Sequence, residues 1–85
     1  MNTMPTQQMI RLTLCTNGQK VRVAAILGGS NMMMRLTELG LHLGAELEVR
    51  QNHGGALIVM CGNARIAIGA GMAHKIMVEP LESLQ

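Results

Sequence analysis

Cys15, Cys61, His42, His53, His74 and the run Met32-Met33-Met34 are the side chains in this sequence that could bind a soft or borderline metal. Thioethers suit Cu(I). Consecutive helical residues, however, point ~100° apart, and consecutive strand residues alternate faces, so three adjacent methionines cannot turn their sulfurs onto one ion. The run therefore reads as core or interface, the usual employment of a flexible thioether side chain. The three histidines fall in three separate predicted loops, and none has the spacing of a zinc ligand pair. They read as solvated loop residues. No cofactor is required, and any Fe or Zn held by surface His and Cys would be adventitious or bridge two molecules.

Nucleophilic catalysis needs a nucleophile, a base and an orienting group in contact. Cys15 lies in an irregular stretch before the first strand and Cys61 ends the most apolar segment, with no base spaced near either. The five acidic residues are scattered on predicted solvent faces and show no paired-carboxylate pattern. Gly28-Gly29 lacks the spaced glycines of a dinucleotide loop. The segment Gly69 to Lys75 (GAGMAHK) lacks the GK[ST] ending of a phosphate-binding turn, and the strand after it leaves no room for the helix. The chain is not expected to be an enzyme.

The elements that must position these residues follow from composition and periodicity. Apolar residues make up 48% of the 85, which suits a globular domain near the lower size limit for an independent core. With nine Met and no Phe, Tyr or Trp, that core must be aliphatic, and self-association is an expectation. The missing aromatics also exclude stacking platforms for single-stranded nucleic acid and aromatic grooves for proline-rich peptides. A net charge of +2 without a basic run gives no nucleic-acid footprint. No segment approaches the ~20 apolar residues that span a bilayer, so direct membrane insertion is not expected. The N-terminus lacks the basic and apolar regions of a signal peptide, and the expected location is the cytoplasm, with reduced thiols.

Residues 1–9 are polar, contain Pro5 and read as a tail; residues 10–81 form the single domain and 82–85 a second tail. Gln19 to Ile26 alternates, with Val21, Val23 and Ala25 on the inner face of a strand. Gly28-Gly29 stops it. Ser30 or Asn31 is the expected helix N-cap, followed by Met32, Leu36 and Leu39 on one helical face. Gly40 stands where a left-handed residue ends a helix. Ala45 to Arg50 is a second alternating strand, Gln51 to Gly55 a turn, and Ala56 to Cys61 a strand covered on both faces. Gly62-Asn63, both tolerant of positive φ, connects a hairpin to Ala64–Ile68. A helical turn near Met72 leads to a last strand, Lys75 to Glu79, which Pro80 ends. Arg35 and Glu38 are spaced i, i+3 as a surface ion pair or a contact for a partner. The expected fold is mainly β: a small, SH3-like, partly closed β-barrel of about five strands with one short α-helix and one helical turn.

Arg35-Leu36-Thr37-Glu38-Leu39-Gly40-Leu41-His42-Leu43-Gly44 is similar to the RLxELGLxxG segment of the FeoA family, small cytoplasmic accessory proteins of bacterial ferrous-iron uptake. Arg65 to Gly69, Met72-Ala73 and Ile76 to Val78 resemble that family's closing strand, short turn and last strand. Gly18, Val21, Val23, Ile26, Gly28 and Gly29 fit its first strand. Family members often carry Pro where Leu43 stands and a basic residue where Met34 stands. The resemblance implies an SH3-like barrel without catalytic activity, whose partner is FeoB, the membrane Fe(II) transporter with a cytoplasmic GTP-binding domain. Through that partner it would sit beside the inner membrane. On this reading Met33, Met34, Arg35 and Glu38 are the contact residues, while Leu36, Leu39, Gly40 and Gly44 hold an elbow. The same barrel occurs as the C-terminal domain of iron-dependent DtxR-type repressors. The alternative function is therefore a transition-metal-responsive regulatory module of iron homeostasis.

Overall fold

The computed structural model describes residues 8–81; most of the expected N-terminal tail, residues 1–7, and the C-terminal tail, residues 82–85, lie outside them. Among the described residues, six strands, two helices and a 3-10 turn follow one another in the order β1 (Ile10–Arg11), 3-10 turn (Leu12–Leu14), β2 (Lys20–Ile26), α1 (Ser30–Glu38), β3 (Glu46–His53), β4 (Ala56–Cys61), β5 (Ala64–Ile68), α2 (Ala70–Ala73) and β6 (Ile76–Pro80). Every neighbouring pair is antiparallel, in the order β1-β6-β2-β3-β4-β5.

The period-two pattern explains which face is buried. Val21 and Val23, Leu47 and Val49, Leu57 and Val59, Ile66 and Ile68, Ile76 and Val78 all point to one aliphatic core. One face of all five longer strands thus feeds a single cluster, which requires the sheet to wind around it. The remaining volume is filled by Leu12 and Cys15 from the 3-10 segment, Leu36 and Leu41 from the α1 region, and Ala73 from α2. The fold is the expected mainly-β one, with a sixth strand, β1, that sequence periodicity does not show because it is two residues long. The barrel is not closed. Among the described residues β1 and β5 are its free edges.

Two bulges bend the long strands where strict alternation fails. The β2–β6 register shifts between Val23 and Ala25, so Ala24, Ala25 and Ile26 are all half-buried and Ala25 does not continue the inner face of Val21 and Val23. The β3–β4 register shifts between Val49 and Gln51. An extra residue on one strand bends it and increases its twist, which lets a six-stranded sheet curl over so small a core. β3 also runs three residues beyond Arg50, so that Gln51, Asn52 and His53 are paired strand rather than turn. In the Gly62-Asn63 hairpin only Gly62 takes positive φ (+62°), the pattern of a type II′ rather than a type I′ turn. The outer face of β4 is half-buried at Ile58 and Met60, not fully covered.

Candidate functional site

The backbone between β2 and β3 leaves the sheet and returns to the strand it left. Val23 accepts a hydrogen bond from the amide of Gly44 and donates one to the carbonyl of Ala45, each 2.8 Å. β2 itself runs on to Ile26 beside β6, and the Leu27 amide still donates to Lys75 O at 2.7 Å, so the excursion proper is Gly28 to Leu43, with α1 as its middle. The helix begins directly at Ser30: Gly29 is the cap residue, in a conformation (φ +91°, ψ −174°) open to glycine, and no side chain caps it. The N-cap expected at Ser30 or Asn31 is not used because the Gly28-Gly29 turn already delivers the chain into the first helical residue.

The C-terminal end of α1 is held much more firmly. Gly40 takes φ +93°, its amide donates to Thr37 O at 2.9 Å, and the Leu41 amide donates to Leu36 O at 2.8 Å. This is the two-bond left-handed cap, which brings the residue after the glycine back against the last turn. Both Leu36 and Leu41 are completely buried. Leu39, expected on the inner face, is exposed instead. It is the cap residue, and the inner position that helical periodicity offers it is taken by Leu41 after the chain reverses. A second turn follows at once: the Ala45 amide donates to His42 O at 3.0 Å with Gly44 at φ +88°, the pattern of a type II turn with Leu43 at its first central position. Gly40 and Gly44 thus both take left-handed backbone at the two turns between α1 and β3.

Only Leu36 on α1 is fully buried, with Met32 packed part-way against the core. The rest of the helix faces outward. Met34 is 60% exposed and Met33 38%, and the flanking Leu27, Leu39 and Leu43 are 41%, 43% and 50% exposed. The other large exposed apolar residues among those described, Met9 and Leu14, belong to the N-terminal segment. Arg35 and Glu38 are exposed and not paired with each other; the ion pairs among the described residues are Arg22–Glu46 and Arg50–Glu48, on the outer face of β2 and β3. Among the described residues, both charges of α1 therefore stand beside apolar side chains without a side-chain partner.

The metal-binding residue types are dispersed. His42 turns its Nδ1 onto the carbonyl of Leu43 at 2.9 Å, His53 ends β3, and His74 caps α2 while its carbonyl accepts from the Arg11 guanidinium at 2.9 Å. Among the described residues no three His, Cys, Asp or Glu side chains converge. Both cysteines are free. Cys15 is buried, and burial pushes its thiol pKa up. Cys61 is half-buried, with Sγ donating to Gly40 O at 3.7 Å. A surface groove of about 240 Å³ lies over Lys20, Glu48 and Met60 and gathers no catalytic set.

One structural residue escapes sequence reasoning. Asn52, assigned by pattern to a turn, donates through Nδ2 to Thr13 O (2.9 Å) and Cys15 O (2.8 Å), and accepts from the Gly55 amide (2.9 Å) through Oδ1. It ties the 3-10 segment to the β3–β4 hairpin. An Asn three residues before a glycine is a usable signal for the local half of this arrangement, the side-chain turn onto Gly55. The long-range half has no local signature.

No helix among the described residues is long and apolar enough to cross a membrane. The sequence pattern of the FeoA domain matches residues 10–80. A protein of Methanocaldococcus jannaschii assigned as Fe(2+) transport protein A is 39% identical over 74 residues, which is 87% of this chain and 90% of that one. The crystal structure of an iron uptake regulatory protein, FeoA, superposes with a TM-score of 0.81 at 37% identity, covering 87% of this chain and 100% of that one. A manganese-dependent transcriptional repressor gives a TM-score of 0.79 at 26% identity, but the 91% of this chain that matches spans 44% of the repressor. With the domain pattern running from the first strand to the last, the chain belongs to the FeoA family.

Proposed function

We propose that this protein is a cytoplasmic accessory of ferrous-iron uptake that docks through the α1 elbow on the cytoplasmic GTP-binding region of a FeoB-type transporter. The role is one of binding rather than catalysis. The observation that carries it is the outward display of Met33, Met34, Leu39 and Leu43 around a helix end fixed by the Gly40 cap. Apolar side chains held on a rigid support lose little further freedom on binding, and methionine adapts its shape to the facing surface. Arg35 and Glu38, unpaired with each other, would supply the charged contacts that orient the partner.

Titration of the cognate FeoB cytoplasmic region with wild type, Met34→Glu and Arg35→Glu tests this. Saturable binding by wild type that weakens at least about tenfold in Met34→Glu supports it. Absence of binding by wild type with GDP, GTP analogue or lipid present, or unchanged binding by both variants, overturns it.

The likeness to a manganese-dependent repressor supports a second reading, a metal-responsive regulatory module. Calorimetry with Fe(II) and Zn(II) on wild type and on His42→Ala, His53→Ala and His74→Ala separates the two. Metal binding lost with one histidine favours the module; heats unaffected by every substitution remove it.

A further inference from the structure

Among the described residues β5 is an unpaired edge of the sheet, separate from α1. The Gly62-Asn63 connection makes Cys61 and Ala64 a hydrogen-bonded pair, and the register runs without a shift to Leu57 opposite Ile68. Hydrogen-bonded and non-hydrogen-bonded pairs alternate along an antiparallel ladder. Ala64, Ile66 and Ile68 therefore spend their backbone groups on β4, whereas Arg65 and Ala67 direct N–H and C=O away from the sheet. No backbone group of another element reaches these among the described residues. The strand has none of the usual edge protections: it holds no Pro, no bulge and no inward charge, and Arg65 is its single outward charge.

We infer that β5 pairs antiparallel with β5 of a second copy of this chain, about a two-fold axis at Ile66. This register joins the open groups of Arg65 to those of the partner's Ala67, and of Ala67 to those of the partner's Arg65, so every backbone group exposed at this edge is satisfied. It engages the whole strand, Ala64 opposite the partner's Ile68. It also sets each Arg65 across from an alanine. Centring the axis on Arg65 would oppose two like charges, which destabilises a cross-strand pair. Centring it on Ala67 would run Arg65 past the end of the strand, opposite the partner's Gly69. Ile66, at 8% the most exposed of the core residues, would meet its own copy across the axis and complete its burial. Ala64, on the face of Ile66 and Ile68, and the outward Ala67 are both small and offer no obstacle. At the other edge β1 is two residues long and leads directly into the 3-10 turn, which gives no comparable ladder, so the association closes at a dimer instead of propagating.

Sedimentation velocity across a concentration series, combined with amide hydrogen exchange, tests the inference on the intact protein. The expected result is a dimer at high concentration, with the Arg65 and Ala67 amides slowing in exchange as the dimer fills. Ala67→Pro removes an outward N–H that β4 does not use. It should keep the circular dichroism of wild type and weaken dimerisation at least about tenfold. A single-chain mass at every concentration overturns the inference, as do Arg65 and Ala67 exchange rates independent of concentration. So does a dimer that survives in folded Ala67→Pro but is lost in Met34→Glu, since that dimer would use α1. If Ala67→Pro does not fold, the exchange rates of the wild-type amides decide.

Discussion

The side-chain amide of Asn52 donates to the backbone carbonyl of Cys15 at 2.8 Å, joining residues 37 apart in the chain. The same Nδ2 reaches Thr13 O, and Oδ1 accepts from Gly55. One half-buried side chain thus satisfies two carbonyls of a segment that has no sheet partner of its own. Asn52→Ala is expected to cost about 2 kcal/mol in urea unfolding, because it strands those carbonyls away from water. Asn52→Asp keeps the acceptor for Gly55 and loses both donors. It should recover less than half of that cost, with faster amide exchange confined to residues 10–15.

Gly40→Ala probes the left-handed cap alone, since a Cβ there meets no atom within 4 Å. The expected loss is about 1–2 kcal/mol, arising from backbone strain at φ +93°. Asn in the same position should lose less than Ala. Equal losses for Ala and Asn would show that the left-handed conformation is not the source.

Leu43 occupies the first central position of the type II turn closed by Ala45 and His42, where proline's fixed φ is preferred. Its side chain is half exposed and among the described residues its amide has no backbone acceptor. Leu43→Pro should therefore stabilise the fold by about 0.5–1 kcal/mol through the unfolded chain's lost freedom. Binding of the transporter region should weaken at the same time if Leu43 belongs to the docking surface. Thermal unfolding and titration on the same variant read the two effects separately.

Burial raises the Cys15 thiol pKa above its ordinary 9.0, so the folded state resists ionisation that the unfolded state permits. The contribution to stability is complete below about pH 9 and declines as pH rises, because the unfolded chain loses its proton first. Cys15→Ala should abolish this alkaline slope in a pH series of urea midpoints while lowering the midpoint at neutral pH. Alkylation of the native protein should label Cys61 well before Cys15, which is 1% exposed.

Local chemistry explains what could be read from the residues. Val21, Val23, Leu47, Val49, Ile76 and Val78 announce their burial through a period of two, and Gly40 marks the helix end because left-handed backbone leaves few other choices. The bulges at Ala24 and Arg50 were hidden, since neither residue type distinguishes a bulge from regular strand. Leu39 and Leu41 exchange roles for a related reason: helical periodicity assumes that the helix continues, and the cap reverses the chain first. Asn52 was invisible because its two carbonyl partners lie on another element. The displayed Met33 and Met34 were legible as apolar residues off the inward face, whereas the openness of Arg35 and Glu38 required the structure.

The clamp at Val23 has a further consequence. The amide of Gly44 and the carbonyl of Ala45 both close on that one residue, three before β2 ends at Ile26, so the excursion carrying α1 returns to the strand it left. Apart from Met32, Leu36 and Leu41, little of it is shared with the core. The segment is in effect portable. Its outer sequence can diverge, or be exchanged between relatives, while the barrel beneath is left intact, so a change of partner need not involve a change of scaffold.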